Sequence, residues 1–319
     1  MREHSIALLG LALLSLALLT AAIVAVQSPA FNSASAHQAP QNISASTTQA
    51  LHEVFDANHY TWPPSGENTV PPLLLTHLPN DFAQINSTHQ RRELFLRSLL
   101  PIVLVENRRL QEQRALASWL LDGNMPVVGS PTHDWLFNVA KQFRIRGDLT
   151  KPAIRDKFLG RLDIIPPALA LAQAAIETGW GSSRFALEGN SLFGQWSYAK
   201  NSGLEPSQRD EAATHLVASF PDLQASVRSY MRNLNTGNAY HEFRTARATA
   251  RANAQPLRAT ELAAHLHRYS QRGEDYVADI RSIIRSPSIA KLTQASLKLL
   301  PQNLAATLST AAEQPQSGG

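Results

Sequence analysis

Residues 173–196 read QAAIETGWGSSRFALEGNSLFGQW, and Glu177 is the one charged residue between Asp163 and Arg184. It closes an Ala- and Leu-rich run and stands just before Gly179-Trp180-Gly181. A carboxylate is seldom buried among apolar groups unless it is paired or protonated. Two readings of Glu177 therefore stand side by side: a structural ion pair with Arg184 or another arginine, or an acid kept protonated for use. Apolar surroundings raise a carboxyl pKa, because losing the proton leaves an unsolvated charge. The partial negative charge at a helix C-terminus pushes the same way. An acid that holds its proton near neutrality can give it to a leaving oxygen, as a general acid does in glycoside cleavage, often with a second carboxylate across the bond. Trp180 and Trp196 offer flat apolar faces to sugar rings, Phe185, Leu192 and Phe193 are candidate core beneath the corner, and the two glycines allow a sharp bend and close approach.

Other chemistries find less support. The chain has no cysteine, which excludes disulfides, thiolate nucleophiles and cysteine-metal sites. Eleven histidines are present, but no HExxH occurs, and His265 and His267 are two residues apart on an expected helix and so face different ways. There is no GxSxG, Walker loop or GxGxxG. Ser182 and Ser183 read as a helix cap, and the arginines of RTARATAR, residues 244–251, as a solvated helix face. The net charge of +4 suits an anionic polymer without choosing one.

The elements that must position Glu177 are mostly helical. Apolar spacing predicts helix from Arg91 to about Leu121, with Pro101 starting or kinking a second segment. Asp134 is placed to cap a helix through Phe143, and Ile154 to Leu162 is a further short candidate. Pro166-Pro167 then opens the Ala-rich helix that runs to Glu177 and ends at Gly179 and Gly181. From Ser197 to Phe220 a polar stretch ending in THLVASF reads as a hairpin or three-stranded lobe. Asp222 caps the next helix, with Val227, Tyr230, Met231 and Leu234 on one face. Helices over Thr260–Tyr269 and Glu274–Arg285 follow. The fold class expected is mostly α (α+β), with one small β lobe.

The apolar run from Ile6 to Val26, followed by Ala34-Ser35-Ala36, predicts a signal peptide or membrane anchor over 1–36 and hence a periplasmic or cell-envelope location. Residues 37–84, rich in Ser, Gln and Pro, read as an arm or linker, 85–290 as the catalytic domain and 291–319 as a tail.

AQAAIETGWGSSRFALEGNSLFGQW, residues 172–196, resembles the motif A-x-x-E-S-G-W-G-x-S-x-F-A…N-N-L-F-G of bacterial β-N-acetylglucosaminidases. SVRSYMRNLNTGNAY and YSQRGEDYVADIRSII are similar to the Bax-type proteins of that group. The resemblance spans roughly 90–287 and implies a lysozyme-like helical domain that cuts peptidoglycan. It implies Glu177 as catalytic acid, a catalytic role for Tyr276, whose phenol would hydrogen-bond the N-acetyl group or steer a water, and substrate contacts for Trp180, Trp196, Tyr240 and Asn190. The second carboxylate should come from the polar lobe, with Glu211 the choice over Glu205 and Asp210, or the substrate's own acetamido group takes its place. Thr178 stands where the family commonly has Ser, and Ser191 replaces the second Asn. No cofactor and no metal is implied; the partner is peptidoglycan glycan strands rather than nucleic acid, with possible inner-membrane association through 6–26. A lytic transglycosylase and a non-catalytic wall-binding module are the alternatives.

Overall fold

The computed structural model describes residues 39–64, 69–197, 203–205 and 216–297. Eleven α-helices fall among them: α1 (Thr48–Ala57), α2 (Thr88–Leu121), α3 (Pro131–Gln142), α4 (Pro152–Arg161), α5 (Pro167–Thr178), α6 (Arg184–Gly189), α7 (Leu223–Thr236), α8 (His241–Ala252), α9 (Ala259–Ala263), α10 (Glu274–Arg285) and α11 (Pro287–Ala290). Seven short strands accompany them: β1 (Gln41–Ile43), β2 (Thr69–Val70), β3 (Leu73–Leu75), β4 (Trp196–Ser197), β5 (Gly203–Leu204), β6 (Leu216–Ala218) and β7 (Ser296–Leu297). The mostly α, lysozyme-like expectation holds. The β lobe follows the Glu177 corner as expected, its strands antiparallel in the order β4-β6-β5.

Helix α5 is the centre of the molecule. Pro167 sits in its first turn, where a missing N–H costs nothing. Its residues Ala168 to Ala175 are buried, and it packs against α2, α9, α10 and α11. A helix apolar on every side must be surrounded, and α2 supplies the longest wall. This 34-residue helix runs straight through Pro101, where the sequence predicted a break. Proline inside a helix costs about 3 kcal/mol. Around it Leu99, Leu100, Ile102 and Val103 are at most 1% exposed, and burying each such side chain returns about 1.5–3 kcal/mol, so tertiary burial outweighs the local penalty.

Capping follows local chemistry. Asp222 accepts the Ala225 N–H at 2.6 Å and starts α7, and Ser183 accepts from Phe185 and starts α6. Helix α3 is capped by Ser130, not Asp134, which falls in its first turn. The helix expected over Thr260–Tyr269 is only the five residues of α9.

Two terminal segments differ from expectation. Over its described residues, the stretch read as an arm, 37–84, lies in the core: Leu51, Phe55, Tyr60, Val70, Leu73 and Phe82 are at most 1% exposed. Strand β1 pairs in parallel with β3, and Asp81 receives the N–H and hydroxyl of Thr48 at 2.8 and 2.9 Å. The prolines exclude helix where they stand but not burial. The described start of the expected tail is also built in, with Leu292 and Leu297 buried and β7 paired in parallel with β2. Residues 6–26 and 34–36 and the EQPQSGG terminus lie outside the described residues, and no described helix is long and apolar enough to cross a membrane.

Candidate active site

Glu177 lies in the last turn of α5, and the chain then makes three successive left-handed residues, Gly179 (φ 55°), Trp180 (φ 61°) and Gly181 (φ 81°). Thr178 ties this corner: its hydroxyl donates to Ala174 O at 2.7 Å and accepts the Gly181 N–H at 2.9 Å. A serine would do the same, so the departure at 178 leaves the geometry intact. The reason Gly181 lacks a side chain is internal. A Cβ there would stand 2.8 Å from the Phe82 ring and 2.9 Å from Phe95, so it is core packing from the 39–84 segment and α2, rather than a ligand, that approaches it. Trp180 also packs inward, edge-on to Phe95 with Arg92 over its ring, and does not line the cleft that Glu177 faces. An αL conformation costs a non-glycine residue roughly 1–2 kcal/mol; those two contacts hold it there.

The cleft beside Glu177 has a volume of about 790 Å³ and is walled by Gly194, Trp196, Asn233, Tyr240, Arg268 and Tyr269, among others. Gly194 approaches most closely: a Cβ at this position (φ 58°) would lie 2.9 Å from Glu177 Oε2. On the other side, Tyr276 Oη donates to Glu177 Oε1 at 2.8 Å. Tyr276 is itself fixed, accepting the Gln173 Nε2–H at 3.0 Å, while Gln173 Oε1 accepts from Tyr230 at 2.7 Å. With Gln173 donating to the Tyr276 oxygen and the Tyr276 hydroxyl donating to Oε1, Oε2, the oxygen beside Gly194, is left as the position for a proton on Glu177. Tyr269 stacks parallel on Tyr276 at 5.5 Å and donates to Phe193 O at 2.9 Å.

Burial pushes the Glu177 carboxyl above its ordinary pKa, and the Tyr276 hydrogen bond offsets this in part. Among the described residues Glu177 has no salt-bridge partner; Arg184 turns instead to Glu188 and to the Glu205 carbonyl. The ion pair with Arg184 is not formed, and no other described arginine takes its place. Burial, and after it the Glu177 charge, drives the Tyr276 hydroxyl far up, so this donor stays a neutral phenol. Burial likewise raises Tyr230, Tyr240 and Tyr269.

Of the residues singled out in the sequence, the structure brings Glu177, Tyr276, Trp196 and Tyr240 together. Trp196 is 57% exposed on the cleft wall and Tyr240 8%. Asn190 is not with them: it is the left-handed C-cap of α6, 3% exposed, and its amide donates to Phe220 O at 3.0 Å. The motif needs an asparagine there because Asn tolerates φ > 0. Glu211 and Asp210 lie outside the described residues, and Glu205 is exposed and absent from the cleft lining. Gln173, Tyr230, Tyr269 and Gly194 were not singled out. Gln173 gave a signal, a polar residue one turn before Glu177 on an otherwise apolar helix; the tyrosines gave none apart from ordinary core spacing. No described group of His, Cys, Asp or Glu is placed to hold a metal ion.

Residues 157–288 match the glucosaminidase family, described as mannosyl-glycoprotein endo-beta-N-acetylglucosaminidase. The chain is 30% identical over 198 residues to Protein bax of Escherichia coli (strain K12), an alignment covering 61% of this chain and 69% of that protein. No solved structure matches. On these two matches, and with Glu177 of the shared motif in the wall of an open cleft, the chain belongs to the glucosaminidase family of glycosidases, beside the Bax-type proteins.

Proposed function

We propose that this protein hydrolyses the β-1,4 bond on the reducing side of N-acetylglucosamine in peptidoglycan, with Glu177 as the general acid. Family membership supports the general reading, a glycoside hydrolase acting on peptidoglycan glycan. The observation that carries the specific one is a carboxyl group on a cleft wall with a raised pKa, no basic partner among the described residues, and a neutral phenol fixed against one oxygen. Glu177 Oε2 delivers its proton to the glycosidic oxygen as the bond breaks. The charge left on the carboxylate is met by the Tyr276 hydroxyl, which already points at Oε1 and needs no reorganisation. Trp196 and Tyr240 hold sugar rings on the cleft walls. The developing oxocarbenium charge is stabilised by an acid from the 205–211 lobe, Glu211 first, or by the substrate's acetamido oxygen. The apolar run at 6–26 supports a periplasmic or envelope location, where this substrate is found.

The test is digestion of purified sacculi by the wild type and Glu177→Gln, with mass spectrometry of the fragments. New reducing N-acetylglucosamine ends from the wild type alone bear the proposal out. A 1,6-anhydro muramyl end would assign a lytic transglycosylase instead. That rival is favoured by one observation: Glu177 is the only acid among the described residues lining the cleft, and such an enzyme uses a single acid. Pelleting with sacculi without released fragments would leave a wall-binding module.

A further inference from the structure

A second concavity, of about 560 Å³, lies between α4 and α8. Lys157 and Arg161 reach it from α4, His241, Arg244 and Thr245 from α8, and Asn238 from the turn that precedes α8; Asp156 is the acid on its rim. That turn, the 3-10 helix Asn238–Tyr240, also forms a wall of the main cleft, through Tyr240. The two depressions thus share one turn, which lines the first through Tyr240 and the second through Asn238.

The charge in this second depression is not balanced as elsewhere. Elsewhere arginines gather around buried acids: Arg114, Arg247 and Arg251 surround Asp163, and Arg109 and Arg228 hold Glu106. Among the described residues, Arg161 and Arg244 have no carboxylate partner. Each is anchored by one nitrogen. Arg244 Nη1 donates to Leu234 O at 2.9 Å and Gly237 O at 2.8 Å. Arg161 Nη1 donates to Phe143 O at 3.1 Å and Arg144 O at 3.0 Å. Those bonds cap the ends of α7 and α3 and fix both side chains. The other nitrogens of each guanidinium make no protein hydrogen bond among the described residues. Arg244 is 7% exposed, and burial first, then the Arg161 charge, bring its pKa down to about 10, still a cation at neutral pH. A fixed, planar fork facing an open depression suits a carboxylate, which it can engage with two parallel bonds.

We propose that this depression is an anion subsite that takes a carboxylate of the substrate while the glycan lies in the main cleft. The inference rests on the peptidoglycan reading above. Two substrate carboxylates have that chemistry: those of the stem peptide, and the lactyl group of a muramyl residue freed of its peptide.

Two readouts test it, with the full chain as wild type, Lys157→Glu and Arg161→Gln. Lys157 is exposed and makes no described hydrogen bond, so its reversal leaves the fold intact even if Arg161→Gln does not. The first readout is KM on glycan strands that carry stem peptides, strands denuded by an amidase, and N-acetylglucosamine oligomers without carboxylate. The ratio of KM for peptide-bearing strands to KM for the neutral oligomers is expected to rise about tenfold in Lys157→Glu. A matching rise with denuded strands assigns the lactyl group, and no such rise assigns the peptide. The second is calorimetric binding of the free stem peptide and of sodium lactate, expected to weaken about tenfold in both variants for whichever carboxylate is used. Unchanged ratios and unchanged binding overturn the subsite while leaving the glycosidase reading in place. A wild type that cleaves no strand, yet binds a carboxylate in a Lys157-dependent way, overturns the glycosidase reading and keeps the subsite.

Discussion

Asp163 and Glu177 are both carboxyl groups withdrawn from water beside the same helix, and the fold treats them in opposite ways. Asp163 is 2% exposed, and Arg251 grips it with two bonds, of 3.1 and 2.8 Å, with Arg247 and Arg114 within 4.0 Å. Burial alone would raise its pKa, but the Arg251 bonds and three positive charges outweigh it and hold the group below the carboxylate range. Glu106 repeats the pattern with Arg228, Arg109 and Gln224. Glu177, less buried, has burial without a cation beside it among the described residues, and its pKa goes up. Depth alone therefore does not set the direction of the shift; the presence or absence of a counter-charge among the described residues does. The arginines at 244–251 make the same point. Read from sequence as a solvated face, they include Arg244 and Arg247 at 7% and 0% exposure. Arg247 is spent on carbonyls at Ile164 and Gly160, on Asn235 and on the Asp163 charge.

The contrast can be broken from either side. The largest effect is expected from Glu177→Gln, which should lower kcat on sacculi by about 10²–10⁴-fold, the usual contribution of a general acid, with an unchanged circular dichroism spectrum. At the other pole, Asp163→Asn leaves three arginines around a neutral group. Breaking a buried pair in this way costs about 3–5 kcal/mol, so urea denaturation should show a lower midpoint, while the protein that remains folded keeps its kcat.

Tyr276→Phe removes the bond that partly offsets the burial of Glu177. Its pKa should rise further. Because the acid must be protonated to act, the basic limb of the pH–rate profile should move to higher pH, with kcat down by about tenfold through loss of stabilisation of the carboxylate formed. A limb that stays put would show that another group sets it.

The smallest effect sharpens the comparison through stability. The Asp163 pKa is lower folded than unfolded, so its contribution is present above the ordinary carboxylate range and is lost as pH falls below about 4. The Glu177 pKa is higher folded than unfolded, so the fold favours its protonated form. That contribution is present below about pH 4 and is lost as pH rises through the raised value. Glu177→Gln should thus gain in Tm relative to wild type as pH rises from 4 to 8, whereas the deficit of Asp163→Asn should stay level over that range and shrink only as pH falls below about 4. Parallel curves for the two variants would abolish the distinction drawn between these acids.

Much of this was written locally. The isolation of Glu177 on an apolar run, the proline opening and glycine closing of α5, the Asp222 cap and the extent of α10 depend on residues a few positions apart, and each was legible from spacing alone. So was the small lobe after the corner. What surrounds Glu177 was not. Tyr276 reaches it across 99 residues and Gln173 reaches Tyr276 across 103, while Phe82, in a stretch whose prolines suggested a loose arm, packs under Gly181. The chain alone determined where an isolated acid would sit relative to its own helix, because caps and periodicity act within a turn or two. Only the tertiary structure decided that no described arginine would reach this acid, that three would reach Asp163, and that Trp180 and Asn190 would face inward. Charge compensation and close packing depend on which distant segments meet, and no local spacing encodes that.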